Sequence, residues 1–112
     1  MKIVYENKNV EKYFTNYKLM QRKLSLEWTR SIKKHMDRLK AAETFSDFLA
    51  LGLGHPEPLE KPDTGKYSLR VNANVRLIIK PNATNDTVMI CSEIIIEGVV
   101  DYHGEKKTWY IH

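Results

Sequence analysis

The stretch KYSLRVNANVRLIIK, residues 66–80, predicts a β-hairpin and determines the fold class. The hairpin has strands at 66–71 and 75–80, joined by the turn residues 72–74. With a three-residue loop, Arg70 faces Arg76 across the ladder. A two-residue loop or a bulge would place the two arginines on opposite faces, because successive side chains of a strand alternate.

More strand-like segments flank this hairpin. Residues 57–61 predict a short edge strand, since Pro58 has no N–H to donate to a central ladder. Residues 62–65 form a turn and 81–86 a polar loop. The segment 88–103 predicts a long last strand that bends or bulges at Gly98.

The first half of the chain is helical apart from a short strand at residues 2–5. One helix is predicted over residues 10–20. Ser25 can cap the next, whose apolar stripe is Trp28, Ile32, Met36 and Leu39, and Thr44 can cap a third short helix. The order of elements predicts a single α+β domain over 1–112, with its helices on one face of a small antiparallel sheet and residues 104–112 as a C-terminal extension.

Bulk properties agree with one soluble domain. The chain has 112 residues, no run long enough to span a membrane, and no signal-peptide pattern at its N-terminus. Its one cysteine, Cys91, fits a reducing cytoplasm and a buried strand position. His35, His55, His103 and His112 show no metal-ligand spacing with Cys91, so no metal or other cofactor is expected.

Positive charge is concentrated at the front of the chain. The first 40 residues hold eleven Lys and Arg against four Asp and Glu, a balance of +7, whereas the remainder has −3. A basic surface that includes Arg30, Lys33 and Lys34 indicates a polyanion or an acidic partner. A merely solvated helix face is the alternative.

The residue types needed to cleave RNA occur in the second half. Metal-free cleavage requires removal of a proton from the 2′-hydroxyl, donation of a proton to the 5′-oxygen, and cations beside the charged phosphorane. Arg70 and Arg76 could hold the phosphate in forked hydrogen bonds. The alternative is that one arginine pairs with Glu93 or Glu97.

The triplet Asp101-Tyr102-His103 ends the last predicted strand. Alternation places Asp101 and His103 on one face and Tyr102 on the other. A histidine can exchange protons near neutral pH, and the carboxylate could come from Glu57 or Asp101.

Several spaced motifs together resemble one family. The chain reads EPLEK at residues 57–61, GKYSLRVN at 65–72, VRLII at 75–79 and VVDYH at 99–103. These segments are similar to the "PL-G" turn, the "G-YS-R-N" strand, the "R-I-F" strand and the final "DYH" of HigB-like toxins, the plasmid maintenance killer proteins of the RelE/ParE superfamily.

The resemblance implies a RelE-like fold and ribosome-dependent mRNA cleavage. It also implies neutralisation by a cognate antitoxin, which is a helix-turn-helix protein. The toxin would contact operator DNA only through this antitoxin. By position it implies catalytic roles for His103, Asp101, Tyr102, Arg76, Arg70 and Glu57. RNA phosphates would be bound by Lys61, Lys66, Arg30, Lys33 and Lys34.

This sequence also departs from the family pattern. Glu57 stands where some members have histidine, Glu60 where lysine or threonine is usual, and Lys61 where glycine is usual. Lys61 could replace the missing cation and His55 the missing imidazole. Two other functions therefore remain open, inhibition of DNA gyrase and antitoxin binding by a catalytically inactive toxin.

Overall fold

The structure, a computed structural model, describes residues 1–103 and 106–112, and of Asn85 and His103 it describes the backbone alone. The α-helices of these residues are α1 (Lys8–Phe14), α2 (Tyr17–Lys23), α3 (Leu26–Ala41) and α4 (Phe45–Ala50). The strands are β1 (Lys2–Tyr5), β2 (Glu57–Pro58), β3 (Tyr67–Arg70), β4 (Val75–Pro81), β5 (Glu93–His103) and β6 (Lys106–Ile111). A 3₁₀ helix spans Asn85–Ile90. The predicted α+β class is confirmed.

The strands form one mixed sheet in the order β1-β5-β4-β3-β2, with β6 also paired to β5. The predicted hairpin is present, and its strands β3 and β4 are antiparallel with Arg70 opposite Arg76. The expectation of a wholly antiparallel sheet is wrong for one strand, because β1 runs parallel to β5, with Lys2 opposite Glu93. The helical first half supplies the crossover that a parallel pair requires.

Two strands share the free edge of β5. β1 pairs with its first half, and β6 runs antiparallel along its second half from Val99 to His103. Residues 106–111 of the predicted extension are therefore part of the sheet. Ile111 is fully buried in the core, which explains why this end of the chain docks.

The predicted irregularity at Gly98 is a β-bulge. The register shifts so that Ile78 faces Gly98 while Ile79 faces Ile96, which leaves Glu97 as the extra residue of β5. Gly98 has φ +152, and a Cβ there would collide with the backbone carbonyl of Ile111. Glycine is required here because β6 approaches the backbone of β5 so closely.

Two helices, α3 and α4, are capped as predicted. The Ser25 and Thr44 side chains accept hydrogen bonds from the backbone N–H groups of Trp28 (3.0 Å) and Asp47 (3.2 Å). The helix predicted over 10–20 is instead two helices, because the Asn16 side chain accepts from Leu19 N–H and starts α2. No helix among the described residues has the length and apolarity needed to cross a membrane.

The start of the predicted last strand is also different. Residues 88–90 belong to the 3₁₀ helix, and the strand begins only at Glu93. Cys91 is buried as expected but precedes the strand, and its carbonyl accepts a hydrogen bond from Phe45 N–H of α4. The apolar residues Val88 to Ile90 suit either element, so their periodicity alone could not decide between them.

The sheet has two different faces. The inner face packs on the helices and contributes Leu69, Leu77, Ile79 and Val99 to the hydrophobic core. The outer face carries the alternate residues, including Ser68, Arg70, Arg76, Val100 and Tyr102. The bulge adds Glu97 to this face, beside Gly98.

Candidate functional site

A cavity of about 290 Å³ opens on the outer face, between the β3–β4 loop and the end of β5. Its polar lining is Glu57, Ser68, Asn74, Arg76 and Tyr102, and its apolar walls are Leu59 and Ala73. Glu57 is the partner of Ser68 across β2 and β3. Tyr102 is two residues beyond Val100, the partner of Arg76, and so shares its face. Three of the six catalytic residues expected from the sequence therefore line one cavity.

Arg76 also fixes the hairpin loop. Its guanidinium donates to the carbonyls of Asn72 (2.6 Å), Val75 (3.1 Å) and Ala73 (3.2 Å). The Asn72 side chain in turn accepts from the N–H groups of Asn74 and Val75. A guanidinium has five N–H donors, so these contacts leave Arg76 with donors for an anion.

Arg70 is the direct partner of Arg76 but lies outside the cavity lining. It is exposed on the next strand. Neither arginine forms an ion pair with a described residue, and the two acids considered for that role are engaged by lysines. Glu93 pairs with Lys2 (3.5 Å) and Glu97 with Lys66 (2.8 Å).

Lys66 lies at the outer face, where its ammonium is already engaged. It is 2.8 Å from the buried Glu97 carboxylate and 3.6 Å from Asp63. The hydrogen bond from Lys66 to Glu97 and the nearby carboxylates raise the pKa of Lys66, against the opposing effect of burial. Asp63 also contacts Lys107 of β6 at 3.4 Å. The charge of Lys66 is therefore balanced internally, which weakens the expectation that it binds RNA phosphate.

Asp101 lies on the opposite side of the sheet from the cavity. It faces Val75 of the core, is 7% exposed, and accepts a hydrogen bond from the Tyr110 hydroxyl (3.3 Å). Burial, followed by the nearby Asp101 charge, raises the pKa of Tyr110. The prediction that Asp101 and Tyr102 lie on opposite faces is confirmed. The predicted catalytic role of His103 depends on its side chain, which lies outside the described part of the structure.

A buried histidine supports the backbone of β3. His35 of α3 is 3% exposed, and its Nε2 lies 2.6 Å from the carbonyl oxygen of Arg70. A Cβ on Gly54, which has φ +78, would lie 2.5 Å from the His35 ring. Burial is the main reason why the pKa of His35 is lowered from its ordinary value. The place of His35 at the border of the apolar stripe of α3 predicts a half-buried side chain, and this prediction is wrong, because the ring is buried.

The expected basic residues of α3 form a separate surface. Arg30 and Lys34 line a larger cavity of about 670 Å³ together with Leu26, Glu27, Ser31 and Val71. Lys33 pairs with Asp37 at 3.7 Å, one helical turn away.

Lys61 is exposed in the β2–β3 loop. None of these four residues lines the outer-face cavity, which combines a carboxylate, a guanidinium and two hydroxyls and is the better candidate for acid–base chemistry.

Three side chains at or near the cavity were missed by the sequence analysis. Ser68 is 4% exposed in the cavity lining, and its position two residues before Arg70 was the available signal. Lys107 and Trp109 stand on β6 opposite Tyr102 and Val100. They could not be placed because the extension was not assigned to the sheet.

The cavity holds side chains of the types that phosphodiester cleavage requires. Glu57 offers a proton acceptor, Arg76 a fixed cation, and Tyr102 and Ser68 hydroxyl donors. No group of three or more His, Cys, Asp or Glu residues in ranges 1–103 and 106–112 has a metal-binding arrangement.

Comparison with known proteins identifies the fold. No family model matches the chain, and no curated protein matches its sequence. Solved structures do match. A YoeB/ParE toxin from Agrobacterium tumefaciens superposes with a TM-score of 0.60 at 17% identity, covering 92% of this chain and 100% of the toxin chain. A chain of the YoeB-YefM complex from Staphylococcus aureus gives a TM-score of 0.58 at 20% identity, covering 92% and 97%. The chain has the fold of these toxins.

Proposed function

We propose that this protein is the toxin of a type II toxin–antitoxin pair and acts as a ribosome-dependent mRNA endoribonuclease. The observation that carries the proposal is the meeting of Glu57, Ser68, Arg76 and Tyr102 in one outer-face cavity. The shared fold with a YoeB/ParE toxin and with a chain of a YoeB-YefM complex supports the toxin assignment. The resemblance of residues 57–103 to HigB-like toxins supports it independently.

The proposed reaction uses the ribose as its own nucleophile. Glu57 accepts the proton of the 2′-hydroxyl as its oxygen attacks the adjacent phosphorus, and the bond to the 5′-oxygen breaks. Arg76 stabilises the charge that develops on the phosphorane oxygens. The leaving 5′-oxygen takes a proton from an acid at the Tyr102–His103 end of β5, and a 2′,3′-cyclic phosphate results. DNA lacks the 2′-hydroxyl and is not a substrate.

The basic surface of α3 suits a contact with ribosomal RNA. Arg30 and Lys34 are both exposed, and both line the larger cavity on the helical side, away from the proposed reaction site. In this arrangement α3 binds ribosomal RNA while the outer face binds mRNA. A protein that acts on translating ribosomes would work in the cytoplasm. Such contacts neutralise phosphates and weaken as ionic strength rises.

The proposed regulatory partner is a cognate antitoxin. The staphylococcal structure is a complex of YoeB with YefM, and we propose that this chain likewise binds a partner protein. In the proposed pair a helix-turn-helix antitoxin binds the toxin and contacts operator DNA. The outer-face cavity and the α3 surface are the two regions that such a partner must cover to prevent activity.

The proposal is tested with purified protein and a defined mRNA. Ribosomes programmed with that mRNA are expected to show cleavage inside the reading frame, whereas the same mRNA without ribosomes is expected to remain intact. Intact mRNA in both reactions together with loss of gyrase supercoiling activity would favour gyrase inhibition. Intact mRNA with unimpaired gyrase and retained antitoxin binding would identify an inactive toxin.

A further inference from the structure

Strand β6 extends the outer face past the cavity with a basic and aromatic row. Lys107 stands opposite Tyr102, a cavity residue, and Trp109 stands opposite Val100. The Lys107 ammonium lies 5.7 Å from the centre of the Tyr102 ring and 5.2 Å from the centre of the Trp109 ring. It also pairs with Asp63 at 3.4 Å, so the surface depends on the Trp109 ring more than on the Lys107 charge. The three side chains therefore form a continuous surface that begins at the cavity.

Trp109 also closes a row of residues that crosses the sheet. Arg70, Arg76, Val100 and Trp109 are successive register partners on β3, β4, β5 and β6. Three strand spacings of about 4.8 Å make this row about 14 Å long. It carries two guanidinium groups that form no ion pair with a described residue, and it ends on an aromatic ring, so its charge complements a strand with a phosphate backbone.

The Trp109 ring already accepts a stacked heterocycle. The His112 imidazole lies 3.8 Å away, centre to centre, and the two ring planes differ by 10°. On the sheet side, a Cβ on Gly98 would lie 3.1 Å from Trp109 Cζ3, so the glycine makes room for the indole. His112 is exposed at the end of β6, where an incoming planar ring could take its place.

We propose that Trp109, with Lys107, forms a stacking subsite for a nucleotide of single-stranded RNA next to the nucleotide held in the Glu57–Arg76–Tyr102 cavity. This inference rests on the proposed function, because it assumes that the outer face receives mRNA. Stacking on an aromatic side chain with a neighbouring cation is how single-stranded nucleic acids are commonly bound. Trp109 would then influence which base is preferred beside the cleavage site.

Binding can be measured without cleavage. A fluorescent single-stranded oligonucleotide in which every 2′-hydroxyl is replaced by hydrogen is titrated with the protein at low ionic strength, and anisotropy gives the Kd. Trp109→Leu is expected to weaken binding about tenfold, while Trp109→Phe retains affinity within about threefold. Tyr13→Leu is the matched control, since Tyr13 lies 4.8 Å from the Lys12 ammonium on α1 and is expected to have no effect.

An abasic oligonucleotide separates stacking from a structural role of Trp109. Wild-type protein should bind it about tenfold more weakly than the complete oligonucleotide, and Trp109→Leu should cause no further loss, because the two changes remove the same interaction. Equal loss on both oligonucleotides, or equal affinity of wild type and Trp109→Leu, would overturn the inference. So would failure of the wild type to bind.

These outcomes are distinct from a failure of the proposed function. A wild-type protein that binds in a Trp109-dependent way but cleaves no mRNA on ribosomes would refute the nuclease and leave the stacking subsite standing. A protein that cleaves mRNA with unchanged base preference and unchanged binding after Trp109→Leu would refute the subsite and leave the nuclease. If Trp109→Leu does not fold, Trp109→Phe and the abasic comparison on wild type still decide the question.

Discussion

Arg70 and Arg76 are direct cross-strand partners on the outer face of the sheet, although like charges in that position repel each other. Arg76 lines the cavity and donates to three carbonyls of its own hairpin, while Arg70 is exposed beside it. A bound phosphate between or beside them would relieve the repulsion. The two arginines therefore have unequal roles in the proposed reaction.

The first prediction concerns these two arginines. Arg76→Ala is expected to lower ribosome-dependent mRNA cleavage by about 100-fold or more, because it removes the fixed cation from the cavity. Arg70→Ala should lower it less than about tenfold. Arg76→Lys is the folding control, since it keeps the charge, and thermal unfolding checks that all three variants are folded. Equal losses for Arg70→Ala and Arg76→Ala would contradict this assignment.

The second prediction uses two glutamates of the same segment. Glu57 lines the cavity, whereas Glu60 is exposed and lies outside its lining. Glu57→Gln is expected to reduce the cleavage rate by about 100-fold or more, because an amide cannot accept the 2′-hydroxyl proton. Glu60→Gln should leave the rate unchanged. Full activity of Glu57→Gln in a single-turnover assay would rule out Glu57 as the base.

Much of this site follows from the sequence by local rules. Strand alternation predicts that Arg70 opposes Arg76 if the hairpin loop has three residues, and the structure has this register. The bulge at Gly98 was also predicted, as were the Ser25 and Thr44 caps. Each of these features depends on neighbouring residues, so a short window of sequence contains the information.

Features that depend on distant pairing were not predictable in the same way. The parallel pairing of β1 with β5 joins residues about 90 positions apart, and no local pattern specifies it. The docking of β6 depends on the burial of Ile111 in the core and on the missing Cβ of Gly98, which leaves room for the Ile111 carbonyl. The boundary between the 3₁₀ helix and β5 was missed because a run of apolar residues such as 88–90 is compatible with a strand and with a buried helical turn.

The third prediction concerns the ion pair beneath the β2–β3 loop. Lys66→Met leaves the Glu97 carboxylate, 7% exposed, without its nearest cation. The free energy of unfolding should fall by about 2–3 kcal/mol, somewhat less than for a fully buried pair because Lys66 is partly exposed. Urea denaturation measures the change.

Two further variants make this measurement specific. Lys33→Met breaks the exposed pair with Asp37 and should cost less than about 0.5 kcal/mol. The double variant Lys66→Met with Glu97→Leu should be more stable than Lys66→Met alone, because it removes the uncompensated charge. A double variant less stable than the single one would show that the pair is not the cause.

The fourth prediction is a pH dependence of stability that arises from His35. Its pKa is lowered in the folded protein from the ordinary value of 6.5, so the unfolded chain binds more protons in the pH range between the two values. The His35 contribution to stability is therefore complete above about pH 6.5 and is lost as the pH falls toward the lowered folded pKa.

The measurement is urea denaturation of the wild type and of two histidine variants between pH 7.5 and 5. His35→Gln should reduce the decline in stability over this range, whereas His112→Gln, an exposed site, should retain it. An unchanged decline in His35→Gln would assign the effect to other groups. The contact between His35 Nε2 and the Arg70 carbonyl favours the protonated ring and therefore acts against this decline.

The most direct test of the central claim is controlled expression in a bacterial host without antitoxin, with growth followed and new mRNA 5′ ends mapped. The account predicts rapid growth arrest with new ends inside translated reading frames for the wild type, and neither effect for Glu57→Gln or Arg76→Ala at equal protein levels. Growth arrest with intact mRNA, or cleavage that persists in both variants, would contradict it.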